Sequence, residues 1–384
     1  MFVHRRFGAA SALTAALTLA AAGSAAARQP AQGATAAGAP GAVFVQTDAL
    51  AGNAIAVYDR ASDGTLTPAG TYPTGGDGGR LGGSAVDHLA SQDSLAYDAA
   101  AGELFAVNAG SDSVSVFGVE GDQLQLRQVI GSGGSFPASL SVHGDLVYVL
   151  NSADGGQIQG FRLTADGRLR SIPGSGRGLG LSVAVPPQLQ FVNTPGDIAF
   201  SPDGQQLIVT TKANTDAIDV FGIDPSGRLS ATPTVNSEPG TVPFALAFTT
   251  PGVVDVANAA TSTVTSFQLQ GDGELTALST VATGQLATCW LVADGSTLFA
   301  GNAASSSESS ILTGPGGSLA LAATTSTDAG TVDAATSPDG RYLYVQTGAA
   351  GIVDEYSVGA GGSLSRIGSV SVPNAVGGEG IATA

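Results

Sequence analysis

The chain has 384 residues, a formal net charge of −17 at pH 7, and a hydrophobic fraction of 43%. That hydrophobic fraction supplies a sizeable core and excludes a disordered chain. The acidic charge disfavours nucleic acid and anionic membranes as partners, because basic side chains supply much of the affinity for both.

Residues 1–27 are typical of an export signal. A basic start with Arg5 and Arg6 precedes an apolar run over residues 8–22 and a cleavage site of small residues. The run is short for a bilayer span, which disfavours the alternative of a retained anchor. We therefore predict a signal peptide, with the general and twin-arginine routes both open, followed by a flexible linker over residues 28–41.

The mature protein is expected to be secreted or otherwise extracytoplasmic, and monomeric. No later segment has eighteen consecutive apolar residues, so we expect no transmembrane helix. Cys289 is the only cysteine, so internal disulfides cannot hold the fold.

A turn ending in Gly-x-Leu or a close variant occurs seven times after the linker. Four of the six intervals between its leucines are 44 to 46 residues, and two are 58 and 60 residues. Alternating segments precede each turn, and short apolar strands such as LFAVN and LYVQT lie further upstream. This pattern predicts antiparallel meanders. The leucines are Leu66, Leu124, Leu169, Leu229, Leu275, Leu319 and Leu364.

Four strands in a unit of about 45 residues are typical of a β-propeller. Residues 42–384 are therefore predicted to form an all-β domain, a seven-bladed β-propeller of four-stranded antiparallel blades. The first unit lacks an innermost strand, and Gly380–Ala384 supplies a spare one. We expect this C-terminal strand to complete the first blade and close the ring.

Two insertions lengthen connections on the same predicted face, over residues 72–93 and 171–195. Lengthened loops on one face of a rigid scaffold often carry binding groups. The alternative is that these glycine-rich segments are tolerated surface loops.

The repeats SPDGQQLIVTTKANTDAIDVFGID and SPDGRYLYVQTGAAGIVDEYSVGAGGSL resemble those of the seven-bladed propeller lactonase family. That family includes bacterial propeller-type 6-phosphogluconolactonases and fungal carboxymuconate-lactonising enzymes. The resemblance covers nearly all of residues 42–384. It implies hydrolysis or formation of a small sugar-acid or dicarboxylic lactone in the central funnel, an inference by analogy. The competing hypothesis is a non-catalytic secreted propeller that binds a protein, a glycan or a cell-envelope component.

The resemblance implies that histidine, arginine and acidic side chains act at the funnel. A base would activate water, and a cation would stabilise the developing oxyanion. His88 lies in the first long connection, next to Asp87 and eight residues after Arg80. We predict that these three residues are catalytic, although such polar clusters are also ordinary in loops.

Five further residues are predicted to contact the substrate. Lys212, the only lysine, and Arg177 could supply cations at the funnel, with solvated loop charges as the alternative. Glu238 and Glu379 precede inner strands and could point inward, with solvent exposure as the alternative. Trp290 begins an inner strand and could stack on a ligand ring, with core packing as the alternative.

Several kinds of site have no counterpart in the sequence. There is no Gly-x-Ser-x-Gly elbow, P-loop, HExxH, Cys-x-x-Cys or EF-hand spacing. We predict no cofactor and no metal site. Ca²⁺ binding is left open as an alternative, because no cluster of carboxylates in the sequence locates such a site. Cys289 is expected to be a buried apolar side chain.

Overall fold

The structure, a computed structural model, describes residues 40–384. The predicted signal peptide and nearly all of the predicted linker lie outside the described residues. Seven antiparallel β-sheets, each built on a four-stranded meander, make up the described part of the chain. The predicted seven-bladed β-propeller is confirmed.

Consecutive strands pair antiparallel within each blade, and one short extra strand joins the edge of blade 3. The strands of blades 1 to 3 are β1 (Gly41–Gln46), β2 (Ala54–Arg60), β3 (Leu66–Pro73), β4 (Leu95–Asp98), β5 (Glu103–Asn108), β6 (Ser113–Glu120), β7 (Gln123–Gly131), β8 (Pro137–His143), β9 (Leu146–Asn151), β10 (Gln157–Leu163), β11 (Leu169–Ser171) and β12 (Arg177–Gly178). The strands of blades 4 and 5 are β13 (Asp197–Phe200), β14 (Gln206–Thr210), β15 (Ala217–Gly222), β16 (Thr234–Ser237), β17 (Pro243–Thr250), β18 (Val253–Asn258), β19 (Thr263–Leu269) and β20 (Leu275–Ala282). Those of blades 6 and 7, with the last strand of the chain, are β21 (Thr288–Asp294), β22 (Thr297–Asn302), β23 (Ser307–Gly314), β24 (Ser318–Ser326), β25 (Thr331–Thr336), β26 (Tyr342–Thr347), β27 (Ile352–Val358), β28 (Leu364–Ser371) and β29 (Ile381–Thr383).

The ring closes by pairing the two ends of the described chain. Strand β29 pairs antiparallel with β1, with Ala382 opposite Phe44, and so forms the inner strand of blade 1. The Tyr344 hydroxyl in blade 7 donates to the Gly64 carbonyl of blade 1 at 2.8 Å. The predicted closure is confirmed, and β1 begins at Gly41, one residue before the predicted domain boundary.

The hydrophobic core lies between the blades. Strand β5 is buried along its whole length because blades pack against both of its faces. Phe105 and Phe299 are each fully buried, and burying such a ring contributes about 1.5–3 kcal/mol relative to leaving it exposed. Within residues 40–384 the buried apolar residues form seven clusters, each joining neighbouring blades.

The two long connections contact each other. The second contains one short helix, α1 (Gln190–Asn193), which the sequence did not predict. The Gly82 amide donates to Gln190 Oε1 at 3.0 Å, and the Phe191 amide donates to the Gly82 carbonyl at 3.3 Å. Gly83 has a φ of +86°, and a Cβ there would overlap the Gln188 carbonyl. These glycines are therefore needed for close packing of the two connections.

The remaining helical elements within residues 40–384 are single 3₁₀ turns. No helix in the part of the chain that the structure describes is long and apolar enough to cross a membrane. The 3₁₀ turns cover Ala109–Ser111, Pro187–Leu189, Lys212–Asn214, Pro315–Gly317 and Ala360–Gly362.

Candidate functional site

Residues 87–93, here called the axial segment, run from the first long connection into the centre of the ring. The Ser91 carbonyl accepts a hydrogen bond from the Trp290 indole at 2.7 Å. The Leu291 amide donates to the side chain of Gln92 at 2.8 Å. The Ser91 hydroxyl also donates to the Ala138 carbonyl of blade 3 at 2.8 Å, and the Gln92 side chain donates to the Leu246 carbonyl of blade 5 at 3.3 Å. Because the axial segment contacts the inner strands of three blades, it occupies the position where the sequence predicted a funnel.

Asp87 shapes the beginning of the axial segment. One of its carboxylate oxygens accepts hydrogen bonds from the Leu89 amide at 2.9 Å and the Ala90 amide at 2.8 Å. Ala90 adopts a left-handed backbone with a φ of +53°, which is uncommon for a residue with a Cβ. The carboxylate thus stabilises a tight turn that directs the chain inward.

Lys212 is fully buried, so it is not a solvated loop charge. Its ammonium donates to the Ala90 carbonyl at 2.5 Å, to the Phe191 carbonyl at 2.6 Å and to the Thr194 hydroxyl at 3.2 Å. These three acceptors match the three N–H groups of a lysine. Burial lowers the pKa of Lys212 to about 8, and the charge of Asp87 opposes that change.

Glu379 is also buried and not exposed to solvent. Its carboxylate accepts the Ser91 hydroxyl at 2.8 Å and the Ser91 amide at 3.2 Å. Burial raises the pKa of Glu379 well above its usual range, and the neighbouring charge of Asp87 raises it further. Burial also raises the pKa of Asp87, whereas hydrogen bonding with Glu379 and the charge of Lys212 lower it. These directions place the shared proton on Glu379 and make Asp87, whose pKa the charge of Lys212 lowers, the more readily ionised of the two carboxyls.

A cleft of 460 Å³ opens beside this buried charge pair. Asp87 and Lys212 line it, and the Phe244 and Trp290 rings form one wall with centroids 5.1 Å apart. The Lys212 ammonium lies 5.2 Å from the centre of the Phe244 ring, within the range of a cation–π interaction. Most of the remaining lining is aliphatic or aromatic and comprises Ala85, Val86, Ala90, Phe191, Val192, Val242, Ala259, Ala260, Ala287, Cys289, Ala303 and Ala304.

Of the residues predicted to be catalytic, only Asp87 lines this cleft. The His88 ring is half-buried against Gly377, and burial lowers the pKa of the imidazole. Arg80 is exposed, donates to the Ser84 carbonyl at 2.8 Å, and lines a neighbouring cavity of 340 Å³.

Of the predicted substrate-binding residues, Lys212 and Trp290 line the cleft, and Glu379 lies behind Asp87. Arg177 lies between blades 3 and 4, where its Nε donates to the Ser230 carbonyl at 2.7 Å. Glu238 is half-buried in the connection before β17, and burial raises its pKa. The structure does not bring these two side chains to the cleft.

Cys289 lies in the cleft wall without the features of a nucleophile. Burial raises the pKa of its thiol to about 12, so the reactive thiolate is scarce at neutral pH. Within residues 40–384, no group of three or more His, Cys, Asp or Glu side chains is arranged to hold a metal ion.

Sequence reasoning missed Asp48, which is fully buried beside Glu379. Its carboxylate accepts the Glu379 amide at 2.8 Å and the Gln46 side-chain amide at 2.6 Å. Asp48 and Lys212 both lie two residues beyond the second strand of a blade, with φ of +48° and +47°. The matching strand ends VFVQTD and LIVTTK were the available signal, since both place a polar residue after the closing threonine.

The sequence profile of one family, "Lactonase, 7-bladed beta-propeller", matches residues 82–377. Because this match spans more than half of the chain, the protein belongs to that family.

Solved structures share the fold at low sequence identity. A Bacteroides fragilis protein, provisionally described as a 6-phosphogluconolactonase, is 20% identical with a TM-score of 0.69, over 89% of this chain and 97% of its own. The periplasmic gluconolactonase of Pseudomonas aeruginosa is 20% identical with a TM-score of 0.68, over 90% and 99%. A Lactobacillus plantarum protein is 19% identical with a TM-score of 0.70, over 90% and 100%. No curated protein sequence matches the chain significantly.

Proposed function

We propose that this protein is a lactone hydrolase that acts outside the cytoplasm, with its reaction at the cleft lined by Asp87 and Lys212. The observation that carries the proposal is a buried carboxylate and a buried ammonium lining one cleft of a lactonase-family propeller. Buried acid–base groups with shifted pKa values cluster at functional sites. The export signal predicted from the sequence of residues 1–27 and the periplasmic gluconolactonase among the structural relatives support the location.

In this mechanism Asp87 acts as the general base. It takes a proton from water as the water oxygen bonds to the lactone carbonyl carbon. The positive charge of Lys212 stabilises the resulting oxyanion, an effect that is strong in a water-poor site. The ring C–O bond then breaks, and the proton held by Asp87 passes to the departing alkoxide. The product is an open-chain hydroxy acid, and Asp87 returns to its starting state.

Glu379 acts behind Asp87 as a positioning residue. Its proton, shared toward Asp87, fixes the Asp87 carboxylate and opposes the rise in the Asp87 pKa that burial causes. The two Ser91 hydrogen bonds hold Glu379 in turn.

The test is acid release from a lactone panel at constant pH, compared with the uncatalysed blank. Asp87→Asn should lower kcat/KM by at least about 100-fold, in the range expected for loss of a general base. The double variant Arg80→Ala/His88→Ala tests the residues first predicted from sequence. If that double variant loses turnover while Asp87→Asn keeps it, the reaction belongs to the Arg80 cavity and this proposal is wrong.

A second candidate function is ligand binding without catalysis. All three N–H groups of Lys212 are already bonded within the protein, which favours a static structural role for that charge. Under this hypothesis the cleft, or a surface of the propeller, binds a small molecule, a glycan or a cell-envelope component. Saturable binding without turnover of any bound lactone would favour this second candidate.

A further inference from the structure

We infer that the cleft takes an uncharged lactone with a hydrocarbon body, and not a phosphorylated or polyhydroxylated sugar lactone. The inference rests on the proposed function and names its substrate class. It comes from the composition of the cleft walls, the state of the Lys212 ammonium and the charge around the site.

The walls of the cleft are built for apolar contact. The Trp290, Phe244 and Phe191 rings face a set of valines and alanines, and Asp87 and Lys212 are the two charged side chains in the lining. A cavity of about 150 Å³ accepts benzene, so 460 Å³ is large enough for a lactone ring with a medium-length alkyl chain or a fused aromatic ring.

A sugar lactone would lose its hydration without gaining partners here. The hydroxyls of a gluconolactone need donors and acceptors, and each polar group buried without a partner costs about 1–3 kcal/mol. The Lys212 ammonium already donates to Ala90, Phe191 and Thr194. The Trp290 indole is also committed, to the Ser91 carbonyl. An alkyl chain needs no hydrogen-bond partners, and its burial is favourable in free energy.

A phosphate group is disfavoured by charge. No arginine lines the cleft among the described residues, and the Asp87 carboxylate lines it together with its one ammonium. The chain as a whole carries a formal charge of −17. Anionic ligands need arginine or lysine donors that are free to form charge-assisted hydrogen bonds. Here the single lysine is surrounded by acceptors of the protein itself.

The geometry gives such a lactone one orientation. Its ester carbonyl is the only polar part and faces Asp87 and Lys212. Its hydrocarbon part lies against Trp290 and extends toward Ala260 and Ala304, which are exposed at the edge of the cleft. The Lys212 bond to Thr194 is the longest of its three, at 3.2 Å, and is the one that a substrate oxygen would replace.

Trp290 supplies a direct readout of occupancy because it is the only tryptophan in the chain. We would titrate the full mature protein with δ-decalactone, glucono-δ-lactone and 6-phosphoglucono-δ-lactone while recording Trp290 fluorescence and acid release. These three probes share a six-membered lactone ring and differ in its substituents. We expect saturable fluorescence change with δ-decalactone, and a kcat/KM at least 10-fold above that for either sugar lactone.

Three variants locate the binding to this cleft. Ala260→Phe and Ala304→Phe place a ring at exposed positions of the lining, and each should weaken δ-decalactone binding at least fivefold. Ala100→Phe, at an exposed turn between β4 and β5, is the matched control and should bind as the parent protein does.

The outcomes separate the two proposals. If δ-decalactone binds saturably but is not hydrolysed, the hydrolase proposal fails and the ligand class stands. Faster Asp87-dependent hydrolysis of either sugar lactone overturns the ligand class and leaves the hydrolase proposal intact. No saturable fluorescence change with δ-decalactone, or equal binding by all three phenylalanine variants, also overturns the inference.

Discussion

The loops that follow β1 and β14 have the same backbone turn and place an acidic and a basic side chain inside the ring. Asp48 and Lys212 are both fully buried, with φ of +48° and +47°. A residue with a side chain rarely adopts this conformation, and it persists only where the surroundings fix it. In blade 1 the fixing contacts are the Glu379 amide and the Gln46 side chain. In blade 4 they are two carbonyls and a hydroxyl.

The surroundings of Asp48 and Lys212 differ, and this difference gives Asp48 a structural role and places the Lys212 charge at the cleft. Burial raises the pKa of Asp48 to about 8, so this carboxyl is mostly protonated and neutral at neutral pH. Burial lowers the pKa of Lys212 to about 8, so its ammonium is still mostly charged at neutral pH. Asp48 holds the backbone beneath Glu379, whereas Lys212 lines a cleft. One repeated turn therefore supplies a structural clamp in blade 1 and a charged group at an open cleft in blade 4.

Removing the Lys212 charge from the blade 4 loop should have the largest effect on the free energy of unfolding. Lys212→Met leaves three buried acceptors without their donors and removes the positive charge that stabilises the buried Asp87 carboxylate, and each buried group left without its partner costs about 1–3 kcal/mol. Urea unfolding would measure this loss in the free energy of unfolding. The double variant Lys212→Met/Asp87→Asn removes both charges and should be more stable than Lys212→Met alone. Additive losses in that cycle would mean that the two charges do not interact.

The pH dependence of stability should show the two loops acting in opposite directions. The ordinary pKa of an aspartate is 3.8 and that of Asp48 in the fold is about 8, so its contribution is full below pH 4 and is lost as pH rises through 8. Lys212 has an ordinary pKa of 10.5, so the cost of burying its charge is relieved as pH rises from 8 to 10.5. Each unit of difference corresponds to about 1.4 kcal/mol. We expect the melting temperature to fall as pH rises from acidic values toward 8, and we expect Lys212 to oppose that fall above pH 8.

Two variants show which part of the dependence of melting temperature on pH comes from each loop. Asp48→Asn should flatten part of the fall below pH 8, while other buried acids with raised pKa values, Asp93 and Asp197 among them, keep the rest. Lys212→Met should remove the opposing contribution above pH 8, so that the melting temperature falls more steeply there than in the parent protein. A fall of unchanged steepness in Asp48→Asn would show that this carboxyl is ionised in the folded protein.

The packing between the two long connections should lose more stability when a methyl group is added than an open turn does. Gly83→Ala adds a Cβ that overlaps the Gln188 carbonyl at a φ of +86°. Gly102→Ala is the matched control, because its φ is +69° and the space around it is open. We expect about 2–3 kcal/mol of lost stability for Gly83→Ala and about 1 kcal/mol for Gly102→Ala, the strain of a left-handed residue alone. Equal losses would mean that the two long connections separate readily.

The fold could be predicted from the sequence because its signals are local and repeated. Each Gly-x-Leu turn and each apolar strand recurs with the blade, and the missing inner strand of the first unit matched the spare one at Gly380–Ala384. The two longer intervals marked the two long connections, although the second also contributes the short strand β12 to blade 3.

The candidate site could be predicted only in part because its contacts are distant in sequence and do not repeat. Asp87, Lys212, Glu379 and Trp290 were named from residue type and approximate position. Their mutual arrangement depends on contacts such as that of Lys212 with Ala90, 122 residues earlier, and on the entry of the axial segment into the ring. No periodic pattern in the sequence indicates such contacts. The sequence could therefore not place His88 and Arg80 away from this cleft.

The smallest expected effect comes from two matched substitutions. Each removes one hydrogen bond, the first at the cleft and the second elsewhere in the core. Trp290→Phe removes the N–H that bonds the Ser91 carbonyl, and Tyr58→Phe removes the O–H that bonds the Ser371 carbonyl at 2.8 Å between blades 1 and 7. Each should cost about 1–2 kcal/mol, because each leaves a carbonyl without its donor. Only Trp290→Phe should also raise the KM for a lactone substrate, by a few-fold, since Trp290 lines the cleft and Tyr58 does not. Equal kinetic effects of the two variants would mean that loosening the ring anywhere alters the site.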